Sequence, residues 1–308
     1  MALTLLQTLP FFAIIALGYG AARLGFFSEQ ATAWLTRFVF YFALSAMLFR
    51  LASGLSLAEI LDWSLVAAYL SGTVAVYLLA VIVARMRRLQ IPTAAMEAQC
   101  AVIGNTGFLG VPMLAVLLGE RAAGPVLLVL AVDLIVFSSL IVIVISAARD
   151  GRLALGSLRV VGLGLVRNPM IVSLGLGLVW SALAWPLPAV FNEFLVLLGG
   201  AATPGALFAI GASLASKYAE RPWIASWITL CKLVLHPACV AFAALWLFEV
   251  PPFSAGVIIA AAALPVAGNV YILAQHYNVA PQRVSASILI STLVSVVSVP
   301  IVIALIGT

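Results

Sequence analysis

Two Gly-Asn pairs are the residues of this chain best placed to bind something: Gly104-Asn105, in the run Cys100 to Pro112, and Gly268-Asn269, in the run Leu264 to Ile272. Both runs are otherwise apolar. Glycine weakens a helix and proline removes a donor, so Gly104, Pro112, Pro265 and Gly268 are expected to break the helices that contain them. Unwound backbone exposes amide donors and carbonyl acceptors. The half-helix that starts after each break turns its positive end toward the gap, an arrangement suited to a carboxylate. Asn105 and Asn269 add neutral donors and acceptors at modest desolvation cost. Thr106, Gly107, Val270 and Tyr271 complete the expected binding set. The alternative is that each Asn merely caps a broken helix.

A second group of residues could carry charge through an apolar interior. Asp133 lies about nine residues past Gly124, which at 1.5 Å per residue is roughly 14 Å into a hydrocarbon core. A carboxylate at that depth is costly unless paired, hydrated or protonated, so it is a candidate for a coupling proton. Its plainer reading is a permanent partner for Lys232, which sits at similar depth. Lys232 and His236 are four apart and share one helix face, placing two potential cations along a wall that an anion would approach. Snorkelling or pairing would equally account for the lysine, and interior satisfaction for the histidine. Glu97 and Gln99, just ahead of the first break, could hold a cation or proton, although Glu97 also reads as an interfacial charge. Gln275 and His276 could line a path beside Tyr271, or simply mark a wet helix end.

These side chains must be held by membrane-spanning helices. The 308 residues are 65% hydrophobic and 8% charged, with a mean hydropathy of +1.24, against roughly 25% charged in soluble domains. Runs of about 20 apolar residues fit helices crossing a hydrocarbon core, and the alternating pattern of barrel strands is absent. Ten spans are expected, at 5–24, 31–52, 61–84, 93–118, 124–147, 166–184, 190–214, 222–247, 254–276 and 283–305. The first charge, Arg23, follows the first apolar run, so that run is expected to remain as a span rather than to act as a cleaved leader. With the N-terminus outside, the inner loops hold Arg23, Arg85, Arg87, Arg88, Arg149, Arg152, Arg159, Arg167, Lys217, Arg221 and Arg283. The outer ones hold only Arg50 and Arg121. Both termini are then outside an inner membrane, and the basic pI of 9.4 has a topological cause rather than a nucleic-acid partner.

The halves also repeat. Pro10 and Gly18 match Pro169 and Gly177 at a spacing of 159, at which Ala46 to Phe49 overlays Gly205 to Phe208. Gly104-Asn105 and Gly268-Asn269 follow at a spacing of 164. Five spans per unit is an odd number, so the second copy enters from the opposite side and forms an inverted repeat. The expected units are 1–148 and 166–308, with a connecting loop at 149–165 on the cytoplasmic side.

Several pieces together resemble the auxin efflux carrier family: Leu9-Pro-Phe with Leu17-Gly-Tyr19, Gly104 to Pro112, Arg167-Asn-Pro169, Ala201 to Gly211, Lys232 to Pro237, and Pro265 to Asn269. The resemblance covers essentially the whole chain. It implies an all-α protein of ten transmembrane helices in two inverted five-helix repeats, with the fourth and ninth spans broken and crossing at the substrate site. It also implies an organic anion as substrate, malate-like, malonate-like or auxin-like. The long central hydrophilic loop of many plant members is missing here.

The expected activity is therefore secondary transport of a small carboxylate by alternating access, as a symporter driven by protons or sodium; the alternative is a carboxylate uniporter or channel-like facilitator. The first, second, sixth and seventh spans are expected to form a scaffold. No cofactor, metal or nucleotide is expected, and the partners are the anion, membrane lipid and a second copy in a homodimer. An intramembrane enzyme is disfavoured because neither a Gly-x-Ser-x-Gly elbow nor a His-Glu-x-x-His helix occurs. An ion channel would need a charged ring or a filter of repeated subunits, and the sequence has neither feature.

Overall fold

The computed structural model describes residues 2–55, 62–150, 155–215 and 222–306. Arg152, Lys217 and Arg221, used above for orientation, lie outside them. The described residues form helices, joined by one antiparallel bridge between Gly104 and Val266. In chain order these are α1 (Ala2–Arg23), α2 (Glu29–Ser53), α3 (Trp63–Met86), α4 (Ile91–Val102), α5 (Thr106–Leu118), α6 (Glu120–Ala148), α7 (Leu155–Arg167), α8 (Pro169–Ala182), α9 (Ala189–Leu214), α10 (Pro222–Leu247), α11 (Pro252–Ala262), α12 (Gly268–Tyr277) and α13 (Pro281–Leu305). By length and composition α2, α3, α6, α9, α10 and α13 can each cross a bilayer, and α7 with α8 makes a seventh if that bent pair is one span. Large apolar side chains such as Leu78, Ile82, Trp246 and Val297 are exposed on the outside, as expected for an integral membrane protein bathed in lipid.

Local sequence sets the helix starts. Ser28 Oγ accepts from Ala31 N to begin α2, Asp62 Oδ1 from Ser64 N and Leu65 N to begin α3, and Asn168 Oδ1 from Met170 N to begin α8. Proline occupies the first turn of α4, α8, α10, α11 and α13, where its missing N–H costs nothing.

Two expectations change here. Of the expected connecting loop at 149–165, residues 151–154 lie outside the described residues and 155–165 are helical, within α7; its leucines and valines outweigh the three glycines that read as loop. The sixth span does not begin as one rod at 166. The chain bends by 72° between α7 and α8, where Asn168 is extended (ψ 113°), because a residue preceding proline avoids helical backbone.

The helices pack in two groups. In one, α1 lies against the second half of α9, and α8 against the second half of α2. Glycines permit both contacts: a Cβ on Gly18 would strike the Phe208 backbone, and one on Gly177 would come within 2.7 Å of Phe49 O. Gly18 and Gly177, and likewise Phe49 and Phe208, are the residues matched at the spacing of 159. In the other group α3 packs on α4 and α10, α6 on α4 and α11, and α13 on α10 and α12. Gly72 lets α3 meet α10 closely; a Cβ there would lie 2.7 Å from Val240 Cα.

Candidate functional site

Both expected breaks occur, and they meet. Between α4 and α5 the chain is non-helical at residues 103–105; between α11 and α12 it is so at 263–267. Asn105 N donates to Pro265 O at 2.8 Å and Ala267 N to Ile103 O at 3.1 Å, while Val266 N donates to Ser291 Oγ of α13 at 3.1 Å. These amides are buried and must find partners. They find them in each other, so the breaks do not leave all their backbone donors open, as the sequence reading expected.

The asparagine side chains are free of that pairing. Neither start of a half-helix has a side-chain cap: Asn105 precedes α5 without capping it, and α12 is preceded by Ala267. Asn269 Oδ1 is buried with no partner, as is Gln99 Oε1. Thr106 and Gly107 begin α5, in a π-helical turn over Thr106–Gly110 of the kind that recurs at functional sites. Val270 is buried and Tyr271 half-buried in α12. Gln275 and His276 are exposed at its far end, where Gln275 Nε2 donates to Tyr271 OH at 3.0 Å. Gly268 opens α12. Pro112 is not at a break: it lies within α5, just after the π-turn, so Gly104, Asn105 and Pro265 mark the gaps.

Beside the crossing runs a buried polar chain. Lys232 is 0% exposed, and its Nζ reaches Ala262 O, at the C-terminal end of α11, where the helix dipole favours a cation. The same Nζ lies 3.1 Å from His236 Nδ1, and His236 Nε2 lies 3.0 Å from Thr73 Oγ1. Thr73 spends its one hydroxyl proton on Tyr69 O at 2.6 Å. His236 must therefore donate through Nε2 and accept at Nδ1, which makes it a neutral relay between Lys232 and Thr73 rather than a second cation. Tyr69 carries the chain further, because its hydroxyl donates to Asp133 Oδ1 at 2.8 Å. Asp133 Oδ2 faces Thr106 Oγ1 at 3.4 Å, at the first residue of α5. Asp133 and Lys232 both lie in the first two residues of π-helical turns, Asp133 opening Asp133–Phe137 and Lys232 second in Cys231–Leu235. They do not form an ion pair: those among the described residues are Arg50–Glu120, Arg87–Glu97 and Arg283–Glu97. Gly104 leaves room for the ammonium, since a Cβ there would stand 3.3 Å from Lys232 Nζ.

Glu97 departs from its expected role. Its carboxylate, 3% exposed, binds Arg87 Nη2 through one oxygen and Arg283 Nη1 through the other at 2.8 Å. Every partner lies in the group of α3, α4 and α13. With both oxygens held by guanidiniums, Glu97 is a staple and not a vacant cation or proton site.

Tyr69, Thr73 and Ser291 are not singled out from sequence, and the two arginines only as inner-loop charges. Tyr69 and Thr73, four apart and so on one face of the mostly apolar α3, are the available signal for the network.

A family described as "Membrane transport protein" matches residues 4–303. The chain is also similar to a Rhizobium meliloti (strain 1021) protein named "Putative malonate transporter", with 33% identity over 297 residues, covering 94% of this chain and 92% of that one.

Proposed function

Because the chain belongs to the membrane transport protein family, and is thus a transporter rather than an enzyme, we propose that it carries a small dicarboxylate of the malonate class across the inner membrane by alternating access. The observation that carries this reading is the crossing itself: two broken helices meet with their backbones mutually bonded and with Asn105 and Asn269 uncommitted as caps. The relative's printed name supplies the substrate class. Asn105, Thr106 and Gly107 on one side, and Asn269, Val270 and Tyr271 on the other, bind the carboxylates at the starts of α5 and α12.

The architecture proposed is ten spans in two inverted five-span units, 1–148 and 166–308, with both termini outside. The paired contacts of Gly18 with Phe208 and Gly177 with Phe49 support it, since equivalent residues make equivalent contacts. In this reading α1, α2, α8 and α9 are the scaffold and the other group moves. Asp133 is the coupling carboxylate: it touches α5 through Thr106 and the Lys232 end of the network through Tyr69, so its state is felt on both sides of the crossing. Lys232, when protonated, supplies a positive charge that draws the anion in.

The test is uptake of labelled malonate into proteoliposomes under a pH gradient, a sodium gradient or neither. A charge-assisted hydrogen bond contributes about 1.5–3 kcal/mol, so Asn105→Ala and Asn269→Ala should each raise KM roughly 10- to 150-fold. Saturable uptake that responds to a gradient is expected. Uptake unchanged in the double variant at equal incorporation overturns the site, and uptake indifferent to both gradients leaves a uniporter.

A further inference from the structure

Away from the crossing, one groove joins an apolar wall to an unfinished guanidinium. Val83 and Arg87, at the end of α3 and just beyond it, and Trp223, Ile224 and Trp227, in the first turns of α10, enclose about 230 Å³. Arg87 gives Nη2 to Glu97 and its Nε lies buried on that same edge, but the side chain is 26% exposed and Nη1 makes no hydrogen bond among the described residues. A guanidinium presents its donors as a fork matched to phosphate or carboxylate, and the Nη1 side of this one is unused.

The walls choose the occupant. Apart from Arg87 they offer aliphatic and indole surface, and tryptophan favours the level where headgroups meet acyl chains. Trp223 is exposed, opening the groove sideways from the helices. A soluble anion would find one guanidinium here and nothing for its other oxygens. A phospholipid would set its phosphate on Arg87 and lay the start of an acyl chain along Val83, Ile224 and Trp227. Exposed Arg85 and Arg88 flank the site, so a lipid of net negative charge fits better than a zwitterionic one, whose own cation would be repelled. We infer that this groove between α3 and α10 is a binding site for an anionic phospholipid, held by Arg87 and the two tryptophans. The site is separate from the crossing and does not rest on the substrate assigned there.

The experiment reconstitutes the full chain in phosphatidylcholine vesicles containing increasing fractions of brominated phosphatidylglycerol or of brominated phosphatidylcholine. Tryptophan fluorescence is read, and the part due to Trp223 and Trp227 is isolated with a Trp223→Phe, Trp227→Phe protein. Half-quenching is expected at a tenfold or lower mole fraction of the anionic lipid, and inorganic phosphate in excess should not reverse it. Arg87→Gln should bring the two curves together. Arg283→Gln, which breaks the same Glu97 cluster without touching the groove, should leave the preference in place. If Arg87→Gln does not incorporate, Arg87→Lys, which keeps the charge but loses the fork, should show a reduced preference. Coincident curves in the parent, or a preference that survives both substitutions at Arg87, overturns the site and leaves general surface charge as the explanation. No substrate enters this measurement, so its failure and a failure of malonate uptake are read independently.

Discussion

Replacing Glu97 by glutamine separates two roles that sequence alone leaves together. The carboxylate is 3% exposed, and the side chains of Arg87 and Arg283 are 26% and 20% exposed. Removing one partner of a fully buried ion pair costs about 3–5 kcal/mol, because the remaining charge is stranded. Here water reaches part of each guanidinium, so we discount the figure to about 2–3 kcal/mol. For chains of 150–250 residues each kcal/mol shifts Tm by about 2–4 °C, and the effect shrinks with length. The expected fall for Glu97→Gln is then about 4–6 °C, measured by thermal unfolding of the purified protein followed by size-exclusion chromatography. Adding Arg283→Gln should lower Tm by less than the sum of the single effects, since both changes remove one contact. Malonate uptake, assayed well below the transition, should keep its gradient dependence. A variant with Tm within about 1 °C of the parent, but with gradient dependence lost, would refute the staple and restore Glu97 as a coupling group.

Other substitutions test the remaining parts of the structure. Gly18→Ala and Gly177→Ala should destabilise by about 1–3 kcal/mol each through overpacking, to similar extents, whereas Gly20→Ala and Gly175→Ala, where nothing lies within 4 Å of the new Cβ, should be neutral or slightly stabilising in the same Tm assay. Tyr69→Phe removes the 2.8 Å hydrogen bond to Asp133 and should slow initial malonate uptake roughly tenfold or more at equal incorporation; an unchanged rate removes that branch from the mechanism. At the start of α3, the Ser64 hydroxyl and then the Leu65 and Ser64 amides hold the Asp62 carboxyl below its ordinary value of 3.8, against modest burial. A depressed folded value means that the stabilisation is present above that ordinary value and is lost as pH falls through the lowered one. Asp62→Ala should therefore lower Tm at neutral pH and flatten its acid limb.

How much was legible in advance depended on whether a feature was written in backbone or in side-chain geometry. The breaks at Gly104 and Pro265 were readable because glycine and proline act locally, and the same locality exposed Gly18 and Gly177 as a matched pair. The bend at Asn168 is equally local, in an Asn-Pro step, but hydropathy alone does not mark it, and the glycines of α7 give that segment the composition of a loop. What could not be read is which polar side chains meet across helices. Asp133 and Lys232 looked like a pair because both are ionisable and of similar depth. Tyr69 and Thr73, neutral and unremarked in an apolar span, are what the carboxylate and the histidine bind instead.

That outcome has a physical cause. A buried ammonium and a buried carboxylate in direct contact largely neutralise each other, so neither would respond strongly to a third charge arriving between them. Here Lys232 satisfies itself on a helix-end carbonyl and a neutral histidine, and Asp133 on two hydroxyls, one belonging to the residue that starts α5. Each is bonded separately, and the two side chains do not meet at contact range. Thr106, adjacent to Asn105 and 3.4 Å from Asp133, then joins the candidate binding site to the candidate coupling group through one hydroxyl. A shift of α5 when Asn105 takes hold of a carboxylate would stretch or shorten that bond directly. Thr106→Val, which keeps the shape and removes the hydroxyl, should accordingly weaken the dependence of uptake on the driving gradient more than it weakens malonate binding. Equal losses in both would mean that Thr106 serves the site alone.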